Sequence, residues 1–199
     1  MSTLRPFETR DLENVVRIHL ESFRGFFLAD LGKYFLREFY RSMLLDPWCI
    51  AFVEELNGRV AGFVVGTRRP AHLYGRLLSK SGLRLLPAAL ASVLRSPGVS
   101  VRLLRRLFEV QSAPYDQSDA LLMSIAVRPS MQGRGIGRLL IAAFAAAARK
   151  QGALSVSLTT DALKNAAVNR FYVQFGFQRR RTFTTIEGRE MNEYLLAVA

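Results

Sequence analysis

Gln132-Gly133-Arg134-Gly135-Ile136-Gly137 stands where an apolar run ends and an alanine- and leucine-rich stretch begins. A strand that runs into such a loop and straight into a helix aims successive backbone N–H groups at one point, at the positive end of the helix dipole, which makes an anion site. Gly133, Gly135 and Gly137 remove Cβ atoms where the chain must turn tightly or admit a bulky group, while Arg134 and Arg138 add positive charge. A pyrophosphate fits these requirements. A dinucleotide fingerprint needs glycines at offsets zero, two and five, but Arg138 stands five beyond Gly133. A nucleotide-hydrolase loop needs Gly-Lys followed by Ser or Thr, and Gly137 is followed by Arg138-Leu139. Both alternatives fail.

A second group of polar side chains lies further on. Asn165 and Tyr172 are seven positions apart on a predicted helix, so they share nearly one face, two turns from each other. Glu21, Glu54 and Asp119 are the candidate general bases. His19 falls on the apolar side of the first predicted helix and His72 opens a later segment; neither has a partner at metal-ligand spacing, and no metal is expected. The single cysteine, Cys49, lies in the apolar run from Trp48 to Val53 and reads as a buried, inert thiol.

Three blocks then occur in order: Ser124-Ile125-Ala126-Val127-Arg128-Pro129, the loop from Gln132 to Gly137, and Asn165 to Phe177, which reads Asn-Ala-Ala-Val-Asn-Arg-Phe-Tyr-Val-Gln-Phe-Gly-Phe. Together they resemble the GNAT superfamily of acetyl-coenzyme A-dependent N-acetyltransferases, specifically over about Asp119 to Phe177 and more weakly from Thr3 to Thr67. The resemblance implies an α/β (α+β) fold: a mixed, largely antiparallel sheet splayed between strands 4 and 5, with helices on both faces. It implies acetyl-coenzyme A as cosubstrate, its pantetheine arm paired with the backbone of Ile125, Ala126 and Val127. Gln132, Gly133, Arg134, Gly135, Ile136, Gly137 and Arg138 then hold the pyrophosphate, Asn165 bonds the arm, and Tyr172 protonates the departing thiolate. Transfer to a primary amine is expected by direct attack in a ternary complex. The alternative is a non-catalytic acyl-coenzyme A-binding or sensing domain, which has no need of a hydroxyl near the sulfur.

The elements that must position these residues are legible from periodicity. Thr3 to Glu8 reads as a strand, with Asp11 as N-cap of an amphipathic helix through Val15, Val16, Ile18 and His19. Leu36, Phe39, Tyr40, Met43 and Leu44 mark a second helix over about 32–45, which Asp46-Pro47 stops. Trp48 to Glu55 and Val60 to Thr67 are strands joined across Asn57-Gly58, a hairpin signal. Asp119 to Val127 is the strand before the loop, and a helix from about Gly135 to Lys150 ends at Gly152. Leu154 to Thr159 is a strand, Lys164 to Phe175 a helix stopped by Gly176, and Phe177 to Thr185 with Glu190 to Val198 a closing hairpin. Phe171, Phe175 and Phe177 are expected to pack inward.

The chain of 199 residues suits a single acetyltransferase domain over 1–199, with a basic helical insertion before strand 4 at about 70–110. Leucine stripes at 83, 86, 90 and 94 give it helical character, and Pro87, Pro97 and Gly98 break it into pieces. No acid occurs between Glu55 and Glu109, where Arg59, Arg68, Arg69, Arg76, Lys80, Arg84, Arg95, Arg102, Arg105 and Arg106 carry much of the net charge of +12. Such a segment suits an anionic acceptor, for instance an amino sugar carried on a nucleotide, or an anionic membrane surface. Nucleic acid ranks last, because interleaved exposed aromatics are lacking. No apolar run approaches the roughly 20 residues that span a bilayer, and the N-terminus does not read as a signal peptide, so a cytoplasmic protein is expected. The sequence leaves a homodimer open.

Overall fold

The computed structural model describes residues 2–23, 25–71, 73–77, 79, 82, 120–185 and 188–198. Most of the expected insertion lies outside them, as do Asp119 and His72. Seven strands form one sheet in the order β1-β2-β3-β4-β5-β7-β6. They are β1 (Ser2–Pro6), β2 (Cys49–Leu56), β3 (Arg59–Thr67), β4 (Ala120–Val127), β5 (Ser155–Asp161), β6 (Gln178–Thr184) and β7 (Glu190–Ala197). All neighbours are antiparallel except β4 and β5. The closing hairpin forms as expected, but β7 inserts between β5 and β6.

Helices cover both faces. On one, α1 (Leu12–Ser22) and α3 (Gly32–Leu45), joined by the short α2 (Phe27–Asp30), bury Val15, Ile18, Leu36, Tyr40 and Met43 against Val53, Phe63 and Val65. Residues 73–77, at the start of the basic segment, are helical and add Leu73 and Leu77 to this cluster. On the other face α4 (Ile136–Lys150) packs Ile136, Leu140, Ile141 and Phe144 onto Val64, Leu122 and Val156. The remaining helix, α5 (Ala166–Phe175), is exposed along most of its length and turns Tyr172 inward.

Local rules account for much of this. Asn57 and Gly58 both take positive φ, at 50° and 75°, as a tight turn matched to strand twist requires. Asp11 does occupy the N-cap position of α1, yet its side chain makes no cap bond to that helix. Arg5 on β1 takes both carboxylate oxygens at 2.7 and 2.8 Å, and the Glu8 N–H donates to Oδ2 at 3.0 Å. Burial alone would push this carboxyl up; the Arg5 hydrogen bonds, the Glu8 amide and the Arg5 charge outweigh it and hold the group below its ordinary range.

Two irregularities shape the middle of the sheet. Val65 pairs with Ser124 and Gly66 with Leu122, so Met123 is an extra residue that bulges from β4. Opposite the bulge, a Cβ on Gly66 would lie 2.1 Å from the Leu121 carbonyl oxygen and 2.6 Å from the Phe144 ring. Only glycine lets β4 and α4 approach β3 this closely.

Candidate functional site

The bulge precedes the feature that creates a site. β4 and β5 run parallel and pair only at Ala120 with Val156 and Leu121 with Ser157. From Leu122 onward the β5-facing edge of β4 has no strand partner among the described residues, although β3 still pairs with Ile125, Ala126 and Val127 on the other edge. The sheet therefore opens into a wedge whose mouth lies at the C-terminal ends of β4 and β5, and the backbone groups along it are left for a ligand to satisfy.

Beyond β4, the Arg128 N–H donates to Ala61 O at 2.8 Å and its Nε to Val60 O at 2.8 Å, which anchors the start of the loop to β3. A single 3-10 turn, Pro129–Met131, leads to Gln132, whose Nε2 donates back to Val127 O at 3.4 Å. Gly133 and Gly135 then adopt φ of +76° and +78°, with nothing within 4 Å of the place a Cβ would occupy. Gly135 is the N-cap of α4 and supplies no side-chain cap, so the first-turn amides from Ile136 onward receive no side-chain acceptor from it. Gly137 is small for a different reason: a Cβ there would meet the Phe171 ring at 3.1 Å, so this glycine seats α5 against α4.

The two loop arginines diverge. Arg134 is exposed and, among the described residues, has no ion-pair partner. Arg138 turns toward the end of α5, its guanidinium 5.5 Å above the Phe175 ring and its Nη1 3.5 Å from Gln174 O.

On the β5 side of the wedge, Asn165 is the N-cap of α5. Its Nδ2 donates to Thr160 Oγ1 at 2.8 Å and to Asp161 O at 3.4 Å. Its Oδ1 has no partner among the described residues. Two turns on, Tyr172 is 6% exposed, its ring centroid 5.6 Å from that of Phe177 and 5.9 Å from that of Tyr194. Burial, and then the neighbouring Tyr194, push its phenol above the ordinary value. Its Oη makes no hydrogen bond among the described residues, yet it is not one of the sealed, orphaned polar atoms such as His19 Nε2 and Glu54 Oε2. Phe177 is buried, whereas Phe171 and Phe175 are partly covered. Groups for a phosphate and for a long polar arm thus flank one wedge.

The family model described as Acetyltransferase (GNAT) family matches residues 12–177. The chain belongs to this family. It is a GNAT acetyltransferase, and acetyl-coenzyme A is its cosubstrate. Solved structures share the fold of this GNAT protein. A GNAT-family protein from Desulfovibrio desulfuricans matches at 19% identity and a TM-score of 0.67, over 100% of both chains. The ribosomal-protein-S18-alanine N-acetyltransferase of Escherichia coli matches at 19% identity and 0.58, over 100% of this chain and 95% of its own. A protein from Salmonella typhimurium, solved with its cofactor acetyl-CoA, matches at 16% and 0.64, over 100% and 94%. No curated protein sequence matches.

Of the candidate bases of this GNAT domain, neither Glu54 nor Glu21 lies on β4 or β5. Glu54 is on β2, with β3 between it and β4; it is 1% exposed, accepts from the Ser2 hydroxyl, and leaves Oε2 without a partner. Glu21, at the end of α1, lies 3.9 Å from Arg128 Nη1. Asp119 is outside the described residues. His19 is a core residue whose Nδ1 lies 2.7 Å from Tyr40 Oη, and burial pushes it down to about 4. Burial, with the Asp46 charge, pushes the Cys49 thiol up to about 12, which fits an inert group.

Three described cations of the basic run are already engaged. Arg76 pairs with the buried Asp46 at 3.0 Å, Arg68 donates to Gln151 O and Gly152 O, both at 3.2 Å, and Arg69 lies 4.0 Å over Trp48. Lys80, Arg84, Arg95, Arg102, Arg105 and Arg106 lie outside the described residues. Among the described residues no helix is long and apolar enough to cross a membrane.

Sequence reasoning missed two groups. Arg189, in the β6–β7 connection, grips Asp161 at the end of β5 and lies 4.5 Å over Phe26 before α2, which ties three segments together at the β5 side of the mouth. Asn169 is the hub of a polar network on α5. Its spacing of four from Asn165 marks a shared helix face, but its strand partners carry no local signal.

Proposed function

We propose that the chain transfers the acetyl group of acetyl-coenzyme A to a primary amine by direct attack in a ternary complex. The observation that carries this reading is the wedge between β4 and β5, with the uncapped α4 terminus on one side and the Asn165–Tyr172 face on the other. The backbone of Ile125, Ala126 and Val127 pairs with the pantetheine amides as a neighbouring strand would. The residues from Gln132 to Gly137 receive the pyrophosphate on their amides, the exposed Arg134 supplies positive charge, and Arg138 braces α5 from its present position. Asn165 accepts from a pantetheine N–H at its free Oδ1.

The thioester supplies the acyl group; the residues of the chain orient it and manage one proton. As the amine nitrogen bonds to the carbonyl carbon and the carbon–sulfur bond breaks, a β4 N–H donates to the developing oxyanion and Tyr172 gives its phenolic proton to sulfur. The proton lost by the new amide nitrogen leaves to solvent, from which Tyr172 is reprotonated. Burial keeps the Tyr172 phenol protonated at neutral pH, so its proton is in place when the sulfur departs. No side chain need be acylated.

For the acceptor we favour an anionic small molecule, such as an amino sugar on a nucleotide, read by Arg102, Arg105 and Arg106. The support is the run of cations without local acids. The domain would be a single unit over 1–199, working in the cytoplasm. The test is thiol release from acetyl-coenzyme A across amino sugars, nucleotide-linked amino sugars, polyamines, amino acids and peptides with a free N-terminal alanine. Release with one class identifies the acceptor. Tight coenzyme binding with no release from any of them leaves a coenzyme-binding domain and ends the enzymatic reading.

A further inference from the structure

Asn169 lies one turn beyond Asn165 on α5, and all four hydrogen-bonding positions of its side-chain amide are used. Nδ2 donates to Asp161 O at 2.9 Å and to Asn165 O at 2.8 Å, while Oδ1 accepts from Asn192 Nδ2 and from Tyr194 Oη, each at 2.8 Å. The direction of the network follows from chemistry. Backbone carbonyls can only accept, so the NH2 group must face Asp161 and Asn165, and the oxygen must face β7. Asn192 is then obliged to present its own NH2 to Asn169, and its Oδ1 takes the hydroxyl proton of Thr182 at 2.7 Å. Asn192 and Tyr194 are buried at 3% and 2% exposure, so these bonds have little competition from water.

The two halves of the amide reach different parts of the site. The NH2 half clasps the carbonyl of the last residue of β5 and the carbonyl of the α5 N-cap, the same Asn165 whose Oδ1 faces the pantetheine in the reading above. The oxygen half holds the Tyr194 hydroxyl, and the Tyr194 ring packs against that of Tyr172 at 5.9 Å. We infer that Asn169 is a positioning residue for acetyl transfer, its NH2 half setting the coenzyme grip of Asn165 and its oxygen half setting the proton-donating Tyr172 through Tyr194. This rests on the assignment of Asn165 and Tyr172 to coenzyme and leaving group.

The two halves can be separated by substitution. Asn169→Asp keeps an acceptor for Asn192 and Tyr194 but turns an oxygen toward two carbonyls. Its dissociation constant for acetyl-coenzyme A, measured by calorimetry without any acceptor, should rise about tenfold, what a lost hydrogen bond is worth. Tyr194→Phe removes only the bond to Oδ1, so it should leave that constant unchanged and lower kcat, about tenfold on the same scale, with the fastest amine of the panel. Placed in a Tyr172→Phe background, Tyr194→Phe should cost no further kcat, whereas a general packing defect would add. If Tyr172→Phe lowers kcat but Tyr194→Phe does not, or the two losses add, or Asn169→Asp binds coenzyme normally, the inference is overturned and the reading of the site stands. If Tyr172→Phe itself turns over at the wild-type rate, or no amine of the panel is acetylated, the underlying reading falls and takes the inference with it.

Discussion

The guanidinium of Arg189 holds both carboxylate oxygens of Asp161 at 2.7 Å, which binds the β6–β7 connection to the final residue of β5. The side chains retain 26% and 22% exposure, so water screens the pair and its share of stability is modest. Arg189→Gln should lower the free energy of urea unfolding by about 1 kcal/mol or less, and the difference should shrink in high salt. A larger, salt-independent loss would mean that the stacking on Phe26 matters more than the charge.

Gly135 and Gly133 sit in the left-handed region above open space. Alanine at either position should cost ~1–2 kcal/mol of stability through backbone strain alone. Both variants should also bind acetyl-coenzyme A more weakly by calorimetry. Loss of stability with an unchanged affinity would reduce these residues to turn formers.

Tyr172→Phe removes one oxygen from a tightly packed ring and keeps the contacts with Phe177 and Tyr194. Coenzyme affinity should hold while kcat falls about a hundredfold, the usual scale for losing a positioned proton donor. Because burial and Tyr194 hold the phenol above its ordinary 10, the wild-type rate should show no alkaline limb from this group below pH 10. A limb near pH 9 that disappears in the variant would contradict the burial argument.

His19 ionises at about 4 in the folded protein against 6.5 for the exposed side chain. Between those values the unfolded chain binds more protons than the native one, so stability present above pH 6.5 is lost as pH falls toward 4. The full span corresponds to roughly 3 kcal/mol. Asp11 acts in the same direction at lower pH, since its carboxyl is also depressed. The comparison that isolates the imidazole is wild type against His19→Gln in urea unfolding at pH 4.5 and 7, where the variant should show the shallower loss.

Gly66→Ala would drive a methyl group into the Leu121 carbonyl and the Phe144 ring. The backbone oxygen cannot rotate away, so a loss of ~3 kcal/mol or more is expected. Phe144→Ala, which empties the same contact, should cost ~3–5 kcal/mol. Equilibrium unfolding of both variants checks the pair.

What could be read from the residues alone was whatever obeys a short-range rule. The turn at Asn57-Gly58, the stop at Gly152 and the positive-φ glycines of the loop each announce a conformation within a few positions. Asp11 shows where such rules end: it stands at a helix start, as a cap should, but a β1 arginine claims its carboxylate. Asn169 and Tyr194 are 25 residues apart and meet only because β7 inserts between β5 and β6, an ordering that no local pattern specifies. The candidate bases Glu54 and Glu21 meet the same limit. Their type was visible, but whether a carboxylate on β2 or α1 reaches the wedge depends on strand order and on Arg128.

The meeting of β4 and β5 over only two residue pairs makes this sheet two half-sheets joined by a narrow isthmus. In the proposed binding mode the donor's arm lies alongside β4, so the cosubstrate would add a rung that bridges the halves, and release of the spent thiol would reopen the gap. On that proposal the enzyme borrows rigidity from the molecule it consumes, and its loosest moment would fall between one turnover and the next.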